Sequence, residues 1–212
     1  MAAESEISHK RPGYHHGELP DTLMNLALVH IAEAGTEKLS LRALAREAGV
    51  SATAPYRHFP TKQCLLAALA TRGFNDLRSR THAAVTQDLS IEERFVRMGV
   101  AYIEFALENP ISYQIMFGSV LGDFSSYDML HKAAEESYRI VLDQIQELIE
   151  THQLDIEVDE LGAIVWAGVH GMASLLLRNL QTNAQSGPMR SVGAMAKNPE
   201  RALRYMFSNL IT

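Results

Sequence analysis

Apolar residues along this chain of 212 residues recur at the helical interval of three to four, and no run of alternating β-branched residues between turn signals argues for a strand. The first clear run, Leu19 to Ala34, sets Leu23, Leu26, Ala27, His30, Ile31 and Ala34 on one face and Asp21, Asn25 and Glu33 on the other. Gly35 ends it as a left-handed cap. Ser40 opens a short helix in which Leu41, Leu44, Ala45 and Ala48 keep the same spacing as far as Gly49. A third short helix is expected from a Ser51 cap through Phe59, with Pro55 near its first turn and Pro60 as its stop. Thr61 then caps a longer helix from Lys62 to about Val85.

The same period continues over Ser90 to Glu108, Ile111 to Phe117, Tyr127 to His152 and Val158 to Leu180, with a loop at Gly118 and Gly122. Gln181 to Lys197, which holds Gly187-Pro188 and Gly193, reads as a loose stretch, and Asn198-Pro199 opens a last helix. The pattern predicts an all-α fold of about nine helices.

Two short helices joined at Gly49 over Leu44, Ala45, Val50, Tyr56 and Phe59 have the layout of a helix-turn-helix, whose second helix enters the major groove of DNA. Its tip offers Ala52, Thr53 and Ala54, small enough for the backbone to approach base edges. Thr53 has a hydroxyl for a base or phosphate, and all three have methyl groups for thymine. Thr36, Ser40, Arg42, Ser51, Tyr56, Arg57, His58 and Lys62 surround this tip with helix starts and side-chain donors suited to phosphates. Tyr56 and Phe59 also admit a reading as the core of a helical hairpin, and Phe59 is taken as core.

Net charge is -6, which argues against nucleic acid until its distribution is counted. Residues 36 to 80 carry eight Lys or Arg against three acidic side chains, whereas residues 81 to 212 carry nine against 17. A positive head on an acidic body fits a DNA reader with a separate sensing or pairing part.

The second part offers no nucleophile with a base, no phosphate loop and no cluster of carboxylates with histidine, so neither catalysis nor a cofactor is expected. His15 and His16 have no further ligand at useful spacing, so no metal is expected either. Tyr102, Phe105, Tyr113, Met116, Phe117, Tyr138 and Trp166 read equally as an effector cavity or as ordinary core, and His170 as a ligand contact or a satisfied core histidine. Gly168, Gly171, Ala173 and Ser174 suggest close helix packing at a subunit interface. The single cysteine, Cys64, makes no disulfide framework. No export signal precedes Lys10, and the apolar stretch Ala163 to Leu177 holds His170 and Ser174 and falls short of the roughly 20 residues of a membrane span. A cytoplasmic protein without membrane attachment is expected.

Gly13 to Gly17, Leu41 to Ser51, the run Ala54-Pro-Tyr-Arg-His-Phe-Pro60, and Lys62 together resemble the DNA-binding domain of the tetracycline-repressor (TetR) family. The resemblance covers residues 13–75 and leaves 76–212 as a helical effector-binding and dimerisation domain. Trp166, His170 and Gly171 are similar to the Trp-His-Gly type of ligand-sensing domain in one branch of that family. The resemblance implies Tyr56, His58 and Lys62 as phosphate contacts, Thr53 and its neighbours as base readers, and a homodimer through the last two long helices. It also implies a repressor on operator DNA, released by a small apolar or amphipathic effector. An activator or dual regulator, or a helical enzyme with a degenerate head, are the other readings. One departure stands out: many relatives have an acidic residue where this chain has Cys64, which would complete a capping box with Thr61. A redox-sensing thiol and a small part-buried residue are both open there.

Overall fold

The structure, a computed structural model, describes residues 18–86, 88–182 and 186–208, so the Gly13 to Gly17 stretch with His15 and His16 lies outside the described residues. Among them the regular elements are α1 (Leu19–Ala34), α2 (Leu41–Glu47), α3 (Lys62–Ala84), α4 (Ile91–Glu108), α5 (Pro110–Phe117), α6 (Asp128–His152), α7 (Val158–Thr182), α8 (Pro188–Ala196) and α9 (Pro199–Ser208). Short 3₁₀ turns lie at Thr36–Lys38, Ala54–Arg57 and Phe124–Ser126. The fold is all-α, as the spacing predicts, and it divides into two compact units between Leu65 and Leu66, inside α3.

In the first unit α1 buries Leu19, Leu23, Ala27 and Ile31, and α2 buries Leu41, Leu44 and Ala45. His30 Nε2 of α1 and Glu47 Oε2 of α2 are hydrogen-bonded at 2.6 Å. Gly35 has a positive φ of 79° with an extended ψ of 165°, so it turns the chain out of α1 rather than closing a left-handed cap.

The expected third helix from Ser51 to Phe59 is corrected to a four-residue 3₁₀ turn, Ala54–Arg57, with Thr53 rather than Ser51 at its start. Pro55 has no N–H to return to the Ser51 carbonyl, which instead accepts the Ala54 amide at 3.0 Å, and Pro60 disfavours helical backbone at Phe59. Ser40 stands at the start of α2 with extended backbone and makes no capping bond from its side chain. Thr61 does cap α3: its hydroxyl accepts the Cys64 amide at 3.1 Å and donates to Cys64 Sγ at 3.2 Å. The cap therefore stands without the acidic residue, and the Cys64 sulfur accepts the hydroxyl's hydrogen bond.

In the second unit α4 packs against α5, α6, α7 and α9. Arg94 of α4, 6% exposed, forms a two-pronged ion pair with Glu147 of α6 and donates to Gln144 at 2.8 Å. The hydrogen bonds that Arg94 donates to Glu147 raise the guanidinium pKa and hold the Glu147 carboxyl below its usual range. A Cβ on Gly99 would lie 2.9 Å from Leu203, and one on Gly168 2.6 Å from Met206, so α9 is seated on α4 and α7 where glycine makes room.

The loose stretch expected over Gln181 to Lys197 contains α8, opened by Pro188 and anchored by buried Val192. Small residues on both sides of Val192 conceal its periodicity, and packing against α7 and α9 supplies what its short apolar face lacks. By length and composition, the 25 residues of α7 suffice to cross a membrane, more than the expected apolar stretch implied. Here the helix packs against α4 and α6 and buries Leu161, Val165, Val169, Ala173, Leu176 and Leu177.

Candidate nucleic-acid interface and ligand cavity

Every DNA-contact candidate reaches the surface of the first unit. Ser40, Arg42, Ser51, Ala52, Thr53, Tyr56, Arg57 and His58 are exposed, and Thr36, Ala54 and Lys62 are half-buried. Pro55 and Phe59 turn inward and anchor the turn between them. Tyr56 is 41% exposed, which corrects its expected place in the helix-turn-helix core; the missed core residue is Pro55. The Ser51 and Thr53 hydroxyls are hydrogen-bonded at 3.2 Å, which holds the Thr53 side chain at the tip. Lys62 Nζ donates to the Thr36 carbonyl at 3.3 Å, joining the start of α3 to the first 3₁₀ turn and leaving two ammonium donors.

Of the eight cations between residues 36 and 80, Arg78 pairs with Glu136 of α6, and Arg80 pairs with Glu108 of α4 at 2.6 Å. Both belong to the acidic body. The positive surface of the head rests on Lys38, Arg42, Arg46, Arg57 and Lys62.

The second unit holds a cavity of about 770 Å³, open to solvent on one side and walled by α3 to α7 and the loop after α5. Of the expected effector residues, Tyr102, Met116, Phe117, Tyr138 and Trp166 line it. Phe105, Tyr113 and His170 are not among the described lining residues. Phe105 is core, 1% exposed, with the Arg80 guanidinium 5.8 Å from its ring centroid. Tyr113 and His170 form a layer behind the wall: His170 Nδ1 lies 2.8 Å from the Tyr113 hydroxyl and 3.0 Å from the Tyr102 hydroxyl. Burial lowers the His170 pKa and raises those of both phenols, so at neutral pH the imidazole and the two hydroxyls are hydrogen-bonded with none of them charged. The His170 ring is also 5.6 Å from Trp166 and 5.0 Å from Phe117, so this layer supports two wall residues directly.

Sequence reasoning missed Phe74, Leu77 and Thr81 of α3, Ser137 of α6, and Asp123 in the loop as lining residues. Their inward period was visible, but periodicity does not distinguish a cavity wall from filled core. A second cleft of about 530 Å³, bordered by Arg78, His82, Arg139 and Asp143, is a polar surface groove whose Arg78 is already paired. Among the described residues no three His, Cys, Asp or Glu side chains gather as metal ligands.

An exposed recognition turn on a small helical head and an apolar cavity in a separate helical body agree with what known proteins resemble it. Residues 23–69 match the bacterial regulatory proteins, tetR family, and residues 95–196 match the tetracyclin repressor-like, C-terminal domain. The chain belongs to the TetR family. It is grouped with the TetR-family transcription regulators. Nucleoid occlusion factor SlmA of Haemophilus influenzae (strain PittGG) is 31% identical to this TetR protein over 96 residues, 44% of each chain, so the match spans less than half of that relative. A protein of unknown function from Rhodococcus sp. RHA1 superposes with a TM-score of 0.72 at 28% identity, over 92% of this chain and 98% of that one. The TetR family regulator PfmR from Thermus thermophilus shares the fold, with a TM-score of 0.63 at 18% identity over 89% and 96% of the two chains.

Proposed function

We propose that this TetR-family protein is a repressor: a homodimer that grips a pseudo-palindromic operator through residues 13–75 and is released when a small apolar or amphipathic effector enters the cavity of residues 76–212. The observation that carries the DNA half is the exposed run from Ser51 to His58, anchored by Pro55 and Phe59 and bordered by Arg42, Arg57 and Lys62. In this reading Thr53, with Ala52 and Ala54, meets base edges. Thr36, Ser40, Arg42, Ser51, Tyr56, Arg57, His58 and Lys62 hold phosphates.

Pairing of two chains is supported by α7. Ile164 is 48% and Leu175 45% exposed along one edge of that helix, with Ala167 exposed between them. The outward positions of α6 carry Lys132, Arg139 and Asp143 instead, so α7 supplies the apolar part of the dimer face. Two heads then read half-sites about 34 to 36 Å apart.

Effector release is supported by α3, which starts at Lys62 and contributes Phe74, Leu77 and Thr81 to the cavity. A ligand that favours one position of α3 shifts the population toward it and lowers operator affinity by the same preference. The site of action is the cytoplasm, where its DNA lies.

Fluorescence anisotropy with DNA from upstream of the gene tests this reading. Expected are sequence-selective binding that weakens with salt and lower transcription of the adjoining gene when the protein is added in vitro. Binding without sequence preference or salt dependence sinks it, and stimulated transcription replaces repressor with activator.

A further inference from the structure

Resting on the cavity reading above, we propose that the effector is an organic cation carrying aromatic surface, not an anionic or neutral lipid-like molecule. Five rings line the cavity, those of Phe74, Tyr102, Phe117, Tyr138 and Trp166, and their faces attract positive charge. Trp166 is central to this wall, with ring centroids 6.2 Å from Tyr138 and 6.3 Å from Phe117.

The polar groups in the lining are hydroxyls and carboxylates, and no Lys, Arg or His is among the described lining residues. Two of the hydroxyl protons are committed: Thr81 donates to the Leu77 carbonyl at 3.0 Å, and the Tyr102 hydroxyl sits in the His170 and Tyr113 layer. Tyr138 stays a neutral phenol, because burial and the Asp159 charge raise its pKa. The hydroxyl of Ser137, a residue 7% exposed, has no hydrogen-bond partner among the described residues and remains available to a ligand.

Asp123 and Glu135, both solvent-exposed, supply negative charge at the rim of the cavity. The Ser125 hydroxyl and amide, the latter at 2.9 Å, hold the Asp123 carboxyl below its usual range, so it is ionised at neutral pH. An anion entering here loses hydration beside two carboxylates with no cation in the wall to replace it. A neutral ligand gains the rings but nothing from the acids, whereas a cation gains both. His131 Nε2 lies 3.2 Å from Glu135, so the test is best made at pH 8, where histidine side chains as a class are neutral.

Trp166 is the only tryptophan in the chain, so its fluorescence reports on this wall alone. Three probes of similar shape separate the cases: tetraphenylphosphonium, tetraphenylborate and neutral triphenylphosphine oxide, titrated into the full-length protein. Expected is saturable quenching by the phosphonium at an affinity at least about tenfold above either other probe. Combined Asp123→Asn and Glu135→Gln should erase that preference and leave triphenylphosphine oxide binding unchanged, which also reports that the variant is folded. Equal or tighter binding of the borate or the phosphine oxide overturns the cation proposal and leaves the cavity reading standing. A preference that survives the double substitution overturns the assigned source of selectivity. Quenching by none of the three overturns the cavity reading and the proposal together.

Discussion

In the first unit the side chains of Arg42, Arg57 and His58 have no hydrogen-bond or ion-pair partner among the described residues, and the Thr53 hydroxyl bonds only to Ser51. In the second unit several polar groups close on each other: Tyr102 and Tyr113 on His170, and the terminal nitrogens of Arg94 on Glu147 and Gln144. A side chain without internal partners keeps its water and its charge until an outside group replaces them, as phosphates do. One already satisfied within the fold offers a ligand mostly shape and ring faces, with selectivity left to the few groups still open. In the proposed reading, the head is the part prepared for a highly charged polymer, and the body the part prepared for a small molecule.

Substitutions can break this contrast. The largest effect is expected from Arg94→Ala, which leaves Glu147 without its partner and opens space under α6; a loss of about 2–3 kcal/mol of stability should appear in thermal melts. DNA affinity measured well below the melt should not change, and a parallel loss would mean that the two units are not separable. Lys62→Ala should cost about 1 kcal/mol of binding on every DNA sequence and reduce the salt slope by about one, with a smaller loss of melting than Arg94→Ala because only the Thr36 bond goes with it. Thr53→Ala should alter preference at particular base pairs by about 1 kcal/mol while leaving the salt slope alone.

The His170 pair of measurements sharpens the contrast through pH. Burial depresses the folded imidazole pKa below its unfolded value near 6.5, so the fold favours the neutral form. That stability is present above the unfolded value and is lost as pH falls through the folded one. Wild type should lose melting temperature between pH 7 and pH 5 faster than His170→Asn, which keeps an acceptor for the tyrosines; equal slopes would assign the acid sensitivity to another group. The smallest effect belongs to Glu47→Gln in the head, whose pair with His30 is half in solvent, so melting should move by no more than about 0.5 kcal/mol.

Helix limits were legible because glycine, proline and capping residues sit at their ends: α1 ends at Gly35, and Ser90 caps α4 by accepting the Glu93 amide. The recognition turn was misread because Ser51, Pro55 and Pro60 spell helix start and stop equally well for a nine-residue helix and for a 3₁₀ turn. Cavity membership was legible only in part. Tyr102 and Phe105 are three positions apart on one face of α4, and it is the placement of α3 and α6 that leaves one at the wall and the other in the core. Arg78 and Arg80 counted toward the head by proximity in sequence, while their partners Glu136 and Glu108 lie 58 and 28 residues away.

The seat of α9 sets an order of assembly. Its Arg204 bonds Glu93 of α4 across 111 residues, and its Leu203 and Met206 cover Gly99 and Gly168. During synthesis, the contacts of the first unit are complete once α3 has begun, whereas the body waits for nearly the whole chain. Until then α4 and α7 remain uncovered where α9 will lie, so the nascent body is the stretch of this protein in most need of chaperone cover.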